Sequence, residues 1–120
     1  METTIDFTAH LSSNSVASGL SLRGNCQGTG PAQQLEKAVD ELVAAGQPFI
    51  WVDCQRLTSL NWQGQRAIFN ANQRARLSGR TLYWCGLEPV VLTQLITTGL
   101  HLLLSLLPAE GYQGPAALLK

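Results

Sequence analysis

Groups able to do covalent chemistry are sparse in this chain, and their spacing gives them no partners. The imidazoles are His10 and His101. A hydrolytic triad needs a nucleophile, a base and a group that orients the base, and the histidines fall on the first strand and near the last, where they read as surface or edge residues. Without HxxxH or HxH spacing they make a poor metal pair. The thiols are Cys26, Cys54 and Cys85. Their count is odd, with neither CxxC nor zinc-ligand spacing. Cys54 and Cys85 end apolar runs, where a free thiol acts as a small buried hydrophobe, as suits a reducing cytoplasm. Asp53 also ends an apolar run, a place where open α/β sheets gather functional groups. No second carboxylate lies near it in sequence for acid/base work, so it reads as a structural aspartate that bonds loop amides. Residues 24–30 are glycine-rich but lack the lysine of a phosphate loop and the GxGxxG pattern. They read as a connection into a helix. No cofactor, metal site or catalytic residue is expected, and no enzyme.

Composition narrows the alternatives. The chain has 120 residues, 45% hydrophobic and 13% charged, with 8 basic and 8 acidic side chains. One domain over residues 1–120 fits that length, with a core of about 4–107 and a tail from 108 to 120. Zero net charge speaks against a phosphate backbone, which needs clustered cations, and against an anionic membrane surface. The local basic run is Arg66, Arg74, Arg76 and Arg80. The start METTIDF has neither a basic segment nor an apolar core, so no signal peptide is expected. The most apolar stretch, 100–107, is far shorter than the ~20 residues a span requires. No membrane insertion is expected, and the localisation expected is cytoplasmic.

The elements follow from period and punctuation. Ile5, Phe7, Ala9 and Leu11 alternate with polar residues, so 4–11 reads as a half-buried strand. Residues 16–23 make a weaker strand ending at Gly24. Pro31 opens a helix over 31–45, with Leu35, Ala38, Val39, Leu42 and Val43 at helical spacing. Gly46 and Pro48 stop it. FIWVDC (49–54) and TLYWC (81–85) are short and apolar, as expected of interior strands buried on both faces. A loop is expected over 55–61 and helices over 62–78 and 89–98. LLLSLL (102–107) is a last strand or a short helix, with length favouring the strand. The tail reads as loop with at most a short helical end. The order β-β-α-β-α-β-α-β implies crossover connections and a mixed, mainly parallel sheet of about five strands with helices packed on it.

The segment FIWVDCQRLTSLNWQG, residues 49–64, resembles the central signature of STAS domains, the fold of anti-sigma factor antagonists and of the cytoplasmic tails of sulfate transporters. In that family a buried strand ends in Asp, a loop with apolar positions follows, and Asp-Ser-Ser-Gly opens a helix. Asp53 matches the strand-end Asp, Leu57 and Leu60 the apolar positions, and Gly64 the motif's glycine. Gly24 resembles the glycine that ends the second strand. LSGRTLYWCGLEPVVLTQLITTGL (77–100) resembles the family's helix end, fourth strand and third helix. The resemblance covers roughly residues 4–107 and implies a STAS-like α/β fold.

It breaks within the motif. Asn61, Trp62, Gln63 and Gly64 stand where the family has Asp-Ser-Ser-Gly. The family's serine just before the glycine is phosphorylated by the partner kinase, which is also the anti-sigma factor. The phosphate adds roughly −2 of charge and releases the partner. Gln63 has no hydroxyl to accept it. Thr58 and Ser59 lie upstream but do not match the family's site; they are either polar loop residues or a displaced switch. Asn61 can cap the helix as Asp would, without the charge. Trp62 at the helix start is either an interface anchor or folds back on its own domain. Arg66, four residues on along the same face, is either solvated, stacked on the indole or paired with an acidic partner.

The resemblance therefore implies a non-catalytic protein-interaction module of the STAS type in bacterial signalling or transcription regulation, not switched at the usual serine. Its partner-binding residues are Asn61, Trp62, Gln63, Gly64 and Arg66. The partner is an anti-sigma-factor or serine-kinase-like protein, a larger signalling complex, or another copy of the chain in a homodimer. An alternative keeps the fold and makes the chain a soluble subunit of a lipid-trafficking ABC transporter, docked on the ATPase. A third reading, a small enzyme or weak nucleotide binder, has no phosphate loop, paired carboxylates or metal cluster behind it.

Overall fold

Alternating apolar positions, with glycine or proline at the boundaries, divide the chain into strands and helices over residues 6–120, which the computed structural model describes. In chain order these are β1 (Phe7–Ser13), β2 (Ser18–Cys26), α1 (Thr29–Ala45), β3 (Phe49–Leu60), α2 (Trp62–Leu77), β4 (Thr81–Cys85), α3 (Pro89–Thr98) and β5 (Ser105–Leu107). The 5-stranded sheet runs β1-β2-β3-β4-β5. β1 and β2 form the antiparallel hairpin, and the remaining neighbours are parallel. This is the mixed, mainly parallel α/β arrangement expected, with FIWVDC and TLYWC inside the sheet. Thr4 and Ile5 of the expected first strand lie outside the described residues.

Register decides which side chains share a face. Leu20 pairs with Val52, Ile50 with Leu82 and Val52 with Trp84. All of them are buried, in one core with Leu35, Val39 and Leu42 of α1, Ala67, Ile68 and Ala71 of α2, and Val91 and Leu95 of α3. Trp84, at 1% exposure, is the largest fully buried side chain. Its indole N–H donates to Asn72 Oδ1 at 3.2 Å, and Asn72 Nδ2 donates to the Leu103 carbonyl at 3.3 Å. One polar side chain thus ties β4, α2 and the approach to β5 together.

Four local expectations need correction. Residues 55–60 are not a loop: β3 runs on to Leu60, pairing Arg56, Leu57, Ser59 and Leu60 with Arg23, Gly24, Asn25 and Cys26. Irregular steps between Ser21 and Arg23 and between Gly24 and Asn25 take up the register, so the alternation that marks a strand is broken in sequence. β2 accordingly continues past Gly24, whose φ of 97° suits a bulge that only glycine enters freely. LLLSLL divides: Leu100–Leu103 is a 3-10 turn, and only Ser105–Leu107 is strand. Finally, the second face of FIWVDC and TLYWC is not fully covered. Phe49 is 48% exposed, and Trp51 stacks on Tyr83 with ring centroids 4.7 Å apart.

That second face is crossed by the tail. The short helical end is present at Ala116–Leu119, and Pro115 and Leu118 are buried. Arg23 Nη2 donates to the Leu118 carbonyl at 2.9 Å, and Arg56 Nη2 to that of Leu119 at 3.1 Å. Among the described residues no helix is long and apolar enough to cross a membrane.

Replacing Asn72 with alanine leaves the buried Trp84 N–H without its acceptor, and an unpaired buried group costs about 1–3 kcal/mol. Urea unfolding should show that loss as a lower midpoint with an unchanged slope. An unchanged midpoint would mean that the indole finds another partner.

Candidate functional site

The start of α2 is built by the ends of β2 and β3. Helix N-termini leave amides without intrahelical partners, and Asn61 supplies one acceptor: its Oδ1 takes the Gly64 N–H at 3.0 Å and, at 3.4 Å, the Gly28 N–H just before α1. Its Nδ2 donates to Gln63 Oε1 at 3.0 Å, and Gln63 Nε2 donates on to Thr29 Oγ1 in the first turn of α1 at 3.1 Å. The carboxamides of Asn61 and Gln63 therefore join the starts of α1 and α2 without a formal charge. Beside them, Thr58 and Ser59 donate to Asn25 Oδ1 at 2.6 and 2.8 Å, and Gln27 Nε2 donates to Ser59 Oγ at 2.8 Å. Sequence reading took residues 24–30 as a connection and did not link Asn25, Gln27 and Thr29 to this turn, more than thirty residues away in the chain. No local pattern signals such a pairing.

Gly64 lets these segments meet. A Cβ on it would lie 2.1 Å from the Cys26 carbonyl oxygen, which already accepts the Asn61 N–H at 3.4 Å. Trp62 points outward from this turn and is 67% exposed, so it does not fold back on its own domain. Arg66 is exposed on the next turn. Asn61, Trp62, Gln63, Gly64 and Arg66 thus come together at one end of α2. On one flank, Trp62 and Arg66 border a groove of about 630 Å³ between α2 and α3, with Leu60, Leu100 and Leu103 in its walls.

The candidate chemical groups stay apart or stay occupied. His10 lies on β1 and His101 just before β5, at opposite edges of the sheet. His10 Nε2 and Thr8 Oγ1 are hydrogen-bonded at 2.9 Å. Asp53, 2% exposed, accepts from Ser21 Oγ at 3.0 Å, Gln55 N at 3.3 Å and Gln55 Nε2 at 3.1 Å, the structural role read from sequence. Burial, with a smaller push from Asp53 and Cys85, raises the Tyr112 phenol to about 12. All three cysteines are free and buried. Burial pushes Cys26 up to about 12 and, aided by Asp53, Cys85 up to about 11. Burial also takes Cys54 well above its ordinary value. Such thiols stay protonated and unreactive at neutral pH. Among the described residues no cluster of His, Cys, Asp and Glu is placed to hold a metal ion.

No protein-family model matches the chain, and no curated protein matches it. Solved structures do. An anti-sigma factor antagonist from Mycobacterium paratuberculosis superposes with a TM-score of 0.66 at 20% identity, covering 94% of this chain and 91% of that one. The anti-sigma factor antagonist SpoIIAA in its unphosphorylated form gives 0.59 at 10% identity, over 83% of this chain and 86% of its own. The likeness is one of fold: this chain has the architecture of the anti-sigma factor antagonists.

The contact at Gly64 generates a paired prediction. Alanine there gains about 1 kcal/mol of helix propensity but must displace a backbone carbonyl, and overpacking typically costs about 1–3 kcal/mol. A net loss of stability is expected. Gly30, in the first turn of α1, has open space around it, so Gly30→Ala should stabilise by about 0.4–1 kcal/mol. Calorimetric melts of both variants check the contrast. Equal, small shifts would mean that α2 does not need the close approach.

Proposed function

We propose that the chain is a non-catalytic protein-interaction module whose docking surface is the start of α2, formed by Asn61, Trp62, Gln63, Gly64 and Arg66. One observation carries the reading: Trp62, 67% exposed, stands on a helix start whose Asn61 and Gln63 side chains are bonded to their own surroundings. Exposed tryptophan is unfavourable in water and is enriched among the residues that dominate interfaces. The scaffold supports the reading, because structures with this fold include anti-sigma factor antagonists, proteins named for acting on another protein. On this view the partner is a serine-kinase-like anti-sigma factor or a larger signalling complex in bacterial transcription control.

The surface is permanent rather than switched. Gln63 occupies the position that the resemblance assigns to a phosphorylated serine, and its carboxamide bridges Asn61 to Thr29. A phosphate adds negative charge that releases a partner; an amide in that place holds the two helix starts in one arrangement.

Trp62→Ala tests the proposal. Truncating an anchor of this kind costs about 2 kcal/mol or more, roughly a thirtyfold loss of affinity. The partner, captured from native extract, identified by mass spectrometry and titrated as a purified protein, should bind the variant that much more weakly. The melting temperature should move by only a few degrees, because no core contact is lost. Retained affinity would remove Trp62 from the interface. Capture of a transporter ATPase instead would assign the module to a transport complex.

A further inference from the structure

We infer that the groove between α2 and α3 binds a partner segment combining an apolar side chain with a carboxylate, and that Arg66 selects the carboxylate. The inference rests on the docking surface proposed above and names what that surface takes. The polar side chains in the walls are already engaged with one another and with backbone. Gln94 Oε1 accepts the Leu60 N–H at 2.9 Å, Gln65 Nε2 donates to the Gln94 carbonyl at 3.3 Å, and Thr98 Oγ1 donates to Gln65 Oε1 at 2.7 Å. What remains for a ligand is the apolar surface of Leu60, Leu100, Leu103 and Trp62, together with one cation, Arg66.

Charge complementarity fixes the sign of the occupant. Among the described residues Arg66 is the only ionisable one lining the groove, and its side chain has no ion pair or hydrogen bond among them. The neighbouring arginine on α2 is different: Arg74 holds Glu36 at 2.8 Å and Asp40 at 3.0 Å. Glu36, among the described residues the one acid beside Trp62 and Arg66 on their other flank, is held by Arg74 instead. α2 itself carries Arg66, Arg74 and Arg76 and no acidic residue. An apolar side chain can fill the groove while a carboxylate less than a helical turn away meets the guanidinium, the planar fork best suited to it.

Selection from a phage-displayed library of random dodecapeptides against the immobilised protein tests this. Enriched peptides should carry Leu, Met or Phe with Asp or Glu within four residues. Thr97→Tyr places a ring at the groove wall from an exposed helix position and should weaken them roughly tenfold or more, about 1.4 kcal/mol. Arg66→Glu should redirect selection to peptides with Lys or Arg in the acid's place. Circular dichroism melts confirm that the variants fold; if Thr97→Tyr does not, Leu103→Ala replaces it. Enrichment of basic or uncharged peptides, binding indifferent to the groove variants, or no enrichment at all would overturn the inference. So would a dimer in sedimentation that Thr97→Tyr breaks, which would put a second copy in the groove. If Trp62→Ala releases the native partner while Thr97→Tyr and Arg66→Glu do not, the docking surface stands and only its extension into the groove falls.

Discussion

Helix α2 begins so close to the end of β2 that no Cβ fits between Gly64 and the Cys26 carbonyl. Much of the architecture at this end of the molecule follows from that approach. It places the Asn61 side chain within reach of the Gly64 and Gly28 amides at once. It also brings β3's extension alongside β2 as far as Leu60 and Cys26. Buried Leu57 and Leu60 then join the core beneath. Helix caps contribute about 1 kcal/mol and further hydrogen bonds about as much each. Most bonds in the lacing of Asn25, Gln27, Thr29, Thr58, Ser59 and Gln63 are exposed to water, so they order the turn more than they stabilise the fold.

The same lacing explains the surface above it. With these groups bonded to one another, the outward parts of the turn are the indole of Trp62 and, one turn on, the guanidinium of Arg66. Among the described residues neither has a partner that would hold it. The Asn61 carboxamide caps the helix without adding charge, and the Gln63 carboxamide bridges Asn61 to Thr29. On the proposed reading, recognition rests on shape and on one cation rather than on a charge that comes and goes. The opposite face of the sheet is occupied differently: Asp53, Ser21 and Arg23 are satisfied there beneath the tail.

Legibility in the sequence followed local period. FIWVDC and TLYWC announced central strands because nearly every residue in them is apolar or aromatic. Pro31 and Gly46 marked the first helix to within two residues of its observed start and one of its end. The second half of β3 was hidden, because Leu57 and Leu60 are three apart and the bulges in β2 break the two-residue period. The tail's glycines and prolines signalled loop and carried no sign that Leu118 would cross the sheet. The candidate residues at the start of α2 came from the resemblance alone, and the cap at Asn61 was legible by chemistry. The partners of Asn61, Gln63 and Ser59 on the β2–α1 connection were not legible, since hydrogen bonds between segments more than thirty residues apart leave no spacing to read.

The central claim is that the docking surface is held in one arrangement by the Asn61 carboxamide. The Gly64 N–H lies in the first turn, where no helical carbonyl can accept it, so its protection from solvent depends on that side chain. Amide hydrogen exchange followed by NMR on the free protein tests this directly. The account predicts that the Gly64 amide exchanges about as slowly as amides in the middle of α2, and that Asn61→Ala releases it while the interior of the helix stays protected. Exchange of Gly64 at the rate of an open loop in the unsubstituted protein would contradict it.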